Sequence, residues 1–231
     1  MLNSDIFVVI PSYNERNVLG TTVAELAPFG YSIVVVDDGS PNPERQYLSG
    51  QINGSTWYLR HVSNLGAGAA VETGTKFALS KGAKVIVHFD ADGQHIPELI
   101  EKLVDPIRRG TCEVAMGSRF IESSDRALIP AGKRILLKLG VFVSWVFTGM
   151  WLTDTHNGFR AISRTAAQQI HLTENGYAHC TEILELIRKS GVRYMEVPTT
   201  VRYTTYSLAK GQSMWNSINI LFDLVLRKLF R

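Results

Sequence analysis

The chain has 231 residues, of which 45% are apolar, so it can form one large domain or two small ones around a substantial core. Its formal net charge of +3 is too weak to predict a nucleic-acid partner, because its basic residues are spread along the chain. Two cysteines without metal-ligand spacing predict reduced thiols, and the short polar N-terminus predicts a cytoplasmic chain without a signal peptide.

Strand and helix patterns alternate through the first half of the chain. Short runs rich in β-branched residues predict strands at 6–10, 33–36 and 85–89, with weaker candidates at 57–62 and 114–116. Helical patterns lie between them near 17–27, 67–80 and 97–109. The alternation predicts an α/β fold with a mostly parallel sheet flanked by helices. After about residue 120 we expect helices to dominate, with one further strand near 193–197.

Polar or glycine-rich segments follow four of the predicted strands. They occupy residues 11–15, 37–40, 64–68 and 90–94. Parallel sheets bind ligands at the carboxyl ends of their strands, where such segments meet. The sequence therefore predicts a ligand site at one edge of the sheet.

The segment after the fourth strand carries two acids and an amide, Asp90, Asp92 and Gln94. Alternate residues of an extended chain share a face, so the three side chains can point at one spot. Carboxylate and amide oxygens suit a hard divalent cation such as Mg²⁺ or Mn²⁺, and without a cation the two acids would repel each other. The same residues are also typical of a plain Asp-Gly turn, but their position after a buried strand favours a metal site.

Two other strand ends offer groups for a nucleotide. Asp37 and Asp38 can accept hydrogen bonds from a nucleobase or a ribose, although Asp-Gly-Ser-Pro is also an ordinary turn sequence. Gly66 to Gly68 open a predicted helix whose N-terminus could face an anion. Close packing of that helix against the sheet is the alternative explanation for the glycines.

Cationic and acid–base candidates lie further along. Arg119 and Arg134 would stabilise negative charge on a leaving diphosphate, although either alone is also typical of a solvated surface. His156, His179 and Glu182 lie in dense polar runs and could act as an acid or a base, whereas a lone histidine is more often structural.

Five motifs, taken in order, are shared with a known family. They are Pro-Ser-Tyr-Asn-Glu at 11–15, Val-Asp-Asp-Gly-Ser at 36–40, Asn-Leu-Gly at 64–66, Asp-Ala-Asp-Gly-Gln-His at 90–95 and Gly-Ser-Arg-Phe at 117–120. The set resembles the GT-A glycosyltransferases of family 2. Gly-Phe-Arg-Ala at 158–161 and the segment 176–182 are similar to the polyprenyl-phosphate branch, the dolichol-phosphate mannosyltransferase type. The resemblance covers about residues 6–213.

The resemblance implies roles for individual residues. It implies that a UDP- or GDP-sugar donor is bound by Pro11, Tyr13, Glu15, Asp37, Asp38, Gly66, Asp90 and Ala91. It implies that Asp90, Asp92 and Gln94 hold Mg²⁺ or Mn²⁺ on the donor diphosphate, and that the catalytic residues are Asp92, Arg119, Arg134 and Glu182. It also implies inversion at the anomeric carbon and a polyprenyl phosphate acceptor, near which Arg202, Lys210 and Ser213 are the candidate lid residues.

Two apolar segments raise the question of a membrane surface. Residues 139–152 carry no charge, but as a helix they would span only about 21 Å, short of the hydrocarbon core. They predict a helix that is either buried or interfacial. Residues 214–231 predict an amphipathic helix that binds a membrane or packs on protein. We therefore expect a GT-A domain at 1–213, a separate C-terminal helix, and peripheral association with the inner face of a membrane.

Other functions remain open at this point. A family 2 enzyme could instead add a sugar to a glycan hydroxyl in surface polysaccharide synthesis, which would require a base, with Asp154 or Glu182 as the candidate. A non-catalytic nucleotide-sugar-binding subunit is a second alternative, against which the Asp90 and Asp92 pair argues. A nucleotidyltransferase is disfavoured, because no glycine-rich signature with a lysine follows the first strand.

Overall fold

The computed structural model describes residues 3–16, 18–122, 131–155, 157–176 and 178–202. The strands in this part of the chain are β1 (Ile6–Ser12), β2 (Ser32–Asp37), β3 (Thr56–Arg60), β4 (Val85–His88), β5 (Val114–Ser118), β6 (Arg160–Ser163) and β7 (Tyr194–Pro198). The α-helices are α1 (Leu19–Leu26), α2 (Ala67–Ser80), α3 (Ile100–Arg108), α4 (Ala131–Thr148), α5 (Arg164–Ala167) and α6 (His179–Ser190). Short 3₁₀ helices lie at Ala27–Phe29, Glu44–Leu48 and Pro97–Leu99.

The strands form one sheet in the order β3-β2-β1-β4-β6-β5-β7. Strands β1 to β4 are mutually parallel, β5 pairs with β7 in parallel, and β6 is antiparallel to both of its neighbours. The predicted α/β architecture with a mostly parallel sheet is confirmed. The ends of β1, β2 and β4 therefore lie along one edge, as the sequence predicted.

The sequence analysis missed strand β6. The expectation of a single strand after residue 120 is therefore wrong, because the described residues there contain both β6 and β7. Strand β6 pairs with β4 through Ala161 and Val87 and with β5 through Ala161 and Ala115. The strand has only four residues and begins with a charged arginine next to a polar run. A segment this short has too few positions for an alternating apolar pattern to be recognised.

The two faces of the sheet are both covered, which explains the continuous apolar runs of the parallel strands. Ile6, Val8 and Ile10 of β1 pack into one buried cluster together with residues of α1 and α3. Phe7 and Val9 face the other way, into a second cluster that includes residues of α2 and α6. The core thus fixes β1 and β4 on both sides and leaves their ends to carry polar groups.

Helix α2 approaches β1 closely at Gly74. A Cβ atom built at this position would lie 2.3 Å from Val9 Cγ1 and 3.2 Å from Val36 Cγ2. Only a residue without a side chain fits between the helix and the sheet without displacing one of them.

Among the described helices, none is both long enough and apolar enough to cross a membrane. The predicted apolar segment 139–152 falls mostly in α4 and exposes several large side chains, namely Leu139, Phe142, Trp145, Val146 and Trp151. The predicted helix at 214–231 lies outside the described residues, as do Lys210 and Ser213.

We expect Gly74→Ala to destabilise the fold. The added methyl group overpacks the contact with Val9, which costs about 1–3 kcal/mol and outweighs the gain of up to about 1 kcal/mol from the better helix former. Urea unfolding followed by circular dichroism would measure the loss.

Gly54→Ala is the matched control, because a Cβ there meets nothing within 4 Å. A smaller loss for Gly74→Ala in a Val9→Ala background would assign the cost to this contact. Equal stability of Gly74→Ala and the wild type would contradict the packing argument.

Candidate active site

The tip of β4 forms a tight, well-anchored turn. The backbone N–H of Phe89 continues the sheet by donating to the carbonyl of Val9, at 3.0 Å. Thr22 of α1 donates from its hydroxyl to the carbonyl of Ala91 at 3.2 Å. Gly93 then reverses the chain at φ 73°, and the N–H of Gln94 donates to Asp92 Oδ1 at 3.0 Å. Asp90 and Asp92 are thereby held at the edge of the sheet.

The Asp90 carboxylate is contacted by His95 and closely approached by Gly158. His95 Nε2 contacts its Oδ2 at 2.9 Å. On the β6 side, a Cβ at Gly158 would lie 3.0 Å from both carboxylate oxygens, so the glycine leaves the space that the carboxylate occupies. The Asp90 side chain remains 48% exposed, so part of it faces the open edge.

The two acids of this turn interact electrostatically. Burial raises the pKa of Asp92, and the negative charge of Asp90 raises it further. Burial also raises the pKa of Asp90, but His95, Arg160 and His179 together hold it below its ordinary value. A divalent cation between the two carboxylates would remove this repulsion.

The donor set fits a cation that shares its ligands with a substrate. In the described part of the chain, no three His, Cys, Asp or Glu side chains cluster as a protein-only metal site. Mg²⁺ in particular is commonly bound by one or two carboxylates plus substrate phosphates. The pair of Asp90 and Asp92, with the Gln94 amide close in sequence, matches that pattern.

The two acids after β2 are buried and hold the surrounding loops. Asp37 accepts from the backbone N–H groups of Ser40 at 2.8 Å and Glu44 at 3.1 Å, and also from the Tyr58 hydroxyl. Burial raises the pKa of Asp37, but these hydrogen bonds bring it below its ordinary value. The structure thus gives Asp37 a loop-organising role, and its contact with a donor stays a prediction.

Asp38 joins the end of β2 to the loop after β3. Its carboxylate accepts from the N–H of Leu65 at 3.0 Å and of Gly66 at 2.7 Å, and it contacts His61 Nδ1 at 2.7 Å. The predicted donor-binding residues Asp38 and Gly66 are therefore in direct contact. A nucleoside at this edge would meet a surface whose shape these hydrogen bonds set.

Three predicted donor-binding residues lie at the end of β1. Pro11 is partly buried within the strand, and Tyr13 and Glu15 follow it, with Tyr13 43% exposed. The backbone N–H of Glu15 donates to the carboxylate of Glu44, which also accepts from the Ser12 hydroxyl at 2.6 Å. The structure brings this segment next to the end of β2, since Asn14 N–H donates to Ser40 Oγ at 3.0 Å.

The glycine-rich start of α2 is occupied by another loop. The N–H groups of Gly68 and Ala69 donate to the carbonyl of Asn175 at 2.8 and 3.4 Å. A Cβ at Gly66 would lie 2.2 Å from the same oxygen, and one at Gly68 would lie 2.0 Å from the carbonyl of Glu174. Close packing therefore accounts for these glycines, although the partner is the 174–176 loop and not the sheet.

Arg119 and Asp154 form a buried ion pair. Arg119 Nε lies 2.6 Å from Asp154 Oδ2 and Nη2 lies 2.8 Å from Oδ1, a two-pronged contact. The loop is braced further by Glu196, which accepts from the N–H groups of Thr153 and Asp154 at 2.9 and 3.1 Å. The pair fixes the segment after α4 to the end of β5.

The remaining predicted residues have varied surroundings. Glu182 accepts from the N–H groups of Thr173 and Glu174 and thereby secures the loop that covers α2. Arg202 donates its backbone N–H to the carbonyl of Gln94 at 2.8 Å, and its guanidinium pairs with Glu25 at 2.8 Å. Arg134 is half-buried in the first turn of α4, and His156 lies outside the described residues. The site roles assigned to these residues stay predictions.

Several residues near the site escaped the sequence analysis. Glu44, His61, His95 and Arg160 were given no role, yet each contacts or influences an acid at the sheet edge. Arg160 is 4% exposed, and its Nε and Nη1 have no hydrogen-bond partner within the described ranges. His95 and Arg160 each offered a sequence signal, because they lie in the motifs at 90–95 and 158–161, whereas Glu44 and His61 lie in none of them.

Comparisons with known proteins agree with this geometry. The family model "Glycosyl transferase family 2" matches residues 7–171. The chain is 31% identical to a UDP-N-acetylglucosamine–dolichyl-phosphate N-acetylglucosaminyltransferase of Methanococcus voltae, over 99% of this chain and 98% of the relative. It is 30% identical to a polyprenol monophosphomannose synthase of Mycolicibacterium smegmatis, over 84% of this chain and 76% of the relative.

A solved structure with the same fold is glucosyl-3-phosphoglycerate synthase of Mycobacterium tuberculosis, crystallised with Mn²⁺ and UDP. It superposes with a TM-score of 0.66 and 16% identity, over 96% of this chain and 78% of that one. The identity is low enough that this likeness concerns the GT-A fold alone. The sheet order, the acid pair at the tip of β4, and the family match from β1 to beyond α5 lead to one conclusion: the chain belongs to glycosyltransferase family 2, in the branch that resembles polyprenyl-phosphate sugar transferases.

Proposed function

We propose that this glycosyltransferase transfers a sugar from a nucleoside-diphosphate sugar to a polyprenyl phosphate at the cytoplasmic face of a membrane, with inversion at the anomeric carbon. The observation that supports the proposal is that both candidate bases, Asp154 and Glu182, are already engaged by other groups of the protein. Asp154 is buried in its ion pair with Arg119, and Glu182 caps the 173–174 loop. Both carboxylates already have structural partners, which favours an acceptor that needs no base.

A phosphate acceptor meets that condition, because its oxygen is already an anion. In the reaction, an acceptor phosphate oxygen attacks the anomeric carbon while the bond from that carbon to the donor diphosphate oxygen breaks. The electron pair leaves with the nucleoside diphosphate, and no proton has to move. A glycan hydroxyl would instead have to lose a proton to a positioned base.

Asp90, Asp92 and Gln94 would hold Mg²⁺ or Mn²⁺ against the donor diphosphate. A bound cation neutralises the charge that develops on the departing nucleoside diphosphate. Arg202 donates its backbone N–H to the carbonyl of Gln94, so it lies beside this turn, and we propose that it contacts the acceptor. UDP-N-acetylglucosamine is the first donor to test, because a relative that matches nearly the whole chain is named for it.

The exposed aromatic side chains of α4, and of Trp151 just after it, support a location at a membrane surface. Phe142 and Trp145 are in ring contact at 6.0 Å, and Trp145 and Trp151 at 5.4 Å, so three aromatic rings form a continuous patch. All three are at least 40% exposed, and Lys138 lies exposed on the same helix. Aromatic side chains beside basic groups are typical of helices that lie in the interfacial layer of a bilayer.

The central prediction is metal-dependent transfer of labelled sugar into lipid. We expect UDP-N-[¹⁴C]acetylglucosamine and polyprenyl phosphate to give organic-extractable label with Mn²⁺ or Mg²⁺, and EDTA to abolish it. Asp92→Asn removes a charge that the cation needs and should lower the rate by at least about 100-fold. Transfer of label to the lipid in the presence of EDTA would contradict the proposal. So would transfer that occurs only when a glycan replaces the polyprenyl phosphate. Parallel reactions with GDP-mannose would test the other donor.

Glu182→Gln tests the acceptor class. With a phosphate acceptor we expect kcat to fall by no more than a few-fold, because the amide oxygen can still accept from the 173–174 loop and no base is lost. Loss of a true base costs roughly 100- to 10,000-fold. A fall of that size, with an unchanged melting temperature, would support a hydroxyl acceptor instead.

The aromatic patch of Phe142, Trp145 and Trp151 allows a separate prediction. The double variant Trp145→Ser, Trp151→Ser should co-sediment several-fold less with vesicles that contain anionic lipid, because it removes two exposed indole rings from the interface. Tyr194→Ser is a control on another surface, since Tyr194 is 39% exposed and Trp145 is 40% exposed. Equal binding of the double variant and the wild type would remove this face from the membrane contact.

A further inference from the structure

His95 is buried directly behind the Asp90 carboxylate, in a fixed orientation. It is 3% exposed, and its Nε2 lies 2.9 Å from Asp90 Oδ2. The imidazole stacks on Phe159 with ring centroids 4.7 Å apart and an interplanar angle of 21°. Phe89 meets it edge-on, with centroids 5.3 Å apart. Two aromatic rings therefore set the direction in which Nε2 points.

The second ring nitrogen shows that packing alone does not explain a histidine here. His95 Nδ1 is buried and has no hydrogen-bond partner in the part of the chain that the structure describes. Burying a polar atom without a partner costs about 1–3 kcal/mol. A phenylalanine would fill the same space between the two rings without that cost. The contact of Nε2 with Asp90 is the feature that a phenylalanine could not supply.

These contacts restrict the orientation of the Asp90 carboxylate. Oδ2 is held by His95, and the absence of a side chain at Gly158 leaves room for the carboxylate. The Asp90 side chain is nevertheless 48% exposed, so the carboxylate is oriented and accessible at once. Groups that orient a metal ligand in this way commonly change metal affinity by about 10- to 100-fold when they are removed.

We propose that His95 is a positioning residue that orients Asp90 to receive the divalent cation. The proposal rests on the metal site of the proposed function and adds a residue to which no role has been assigned. His95 acts through Asp90 and touches neither the donor nor the acceptor.

The test separates the ring from the donor group. His95→Phe keeps an aromatic ring between Phe89 and Phe159 but removes the N–H. His95→Gln removes the ring but places an amide N–H near the position of Nε2. We would titrate each protein with Mn²⁺ in the presence of UDP and follow free Mn²⁺ by electron paramagnetic resonance, which requires no turnover.

We expect His95→Phe to bind Mn²⁺ roughly tenfold more weakly and His95→Gln to recover most of that loss. UDP binding without metal should be unchanged in both. His171→Gln serves as a control, because that side chain is 59% exposed and lies apart from the acid pair. Gly158→Ala adds a methyl group against the same carboxylate and should also weaken Mn²⁺ binding.

Wild-type Mn²⁺ affinity in His95→Phe would overturn the proposal. Equal losses of Mn²⁺ affinity in His95→Phe and His95→Gln, in proportion to their losses of melting temperature, would overturn it as well, because they would show a purely structural role. If His95→Phe does not fold, His95→Gln is compared with His95→Leu, which has a similar size but no donor, and equal Mn²⁺ affinity of these two variants would overturn the proposal. If the wild-type protein itself binds no Mn²⁺ with UDP, the metal site of the proposed function fails, and the role of His95 fails with it. The two failures are thus distinguishable.

Discussion

Buried carboxylates that accept backbone N–H groups hold the loops of this enzyme together at the edge of the sheet. Asp37, Asp38 and Glu44 join the segments after β1, β2 and β3, and the partly buried Glu182 holds the loop that covers the start of α2 in the same way. Hydrogen bonds to charged groups contribute about 1.5–3 kcal/mol each, more than the neutral bonds of an ordinary turn. The loops that would surround a nucleotide are therefore set before any ligand arrives, which reduces the entropy that binding has to overcome.

Asp90 and Asp92 differ from these structural acids. Burial and the negative charge of Asp90 together raise the pKa of Asp92, and Asp90 stays about half exposed. Acids that are fully satisfied by the protein have little left for a ligand, whereas this pair is left in need of positive charge. The contrast separates the acids that build the site from the acids that would act in it.

The sequence predicted the fold well because its signals were local. Runs of β-branched residues marked β1, β2 and β4, and the position of polar segments after them located the site. It could not predict which acids face inward, because Asp37 ends β2 and Asp90 lies just beyond β4, and their burial depends on groups from other segments. The N–H of Glu44 and the hydroxyl of Tyr58 both donate to Asp37, yet these residues lie 7 and 21 positions away from it in the chain. The four-residue strand β6 was missed for a related reason, because its hydrogen bonds to β4 and β5, and not its own sequence pattern, make it a strand.

The reversed direction of β6 has a consequence for the evolution and engineering of this domain. Because β6 runs opposite to β4, its beginning, and not its end, lies at the active edge, and it delivers Gly158 to the side of Asp90. One wall of the turn after β4 thus comes from the part of the chain that follows β5. The first 120 residues contain most of the donor-side motifs, yet as an excised module they would leave this turn open to solvent on one flank. Domain swaps between relatives should therefore keep β4 and β6 from the same parent.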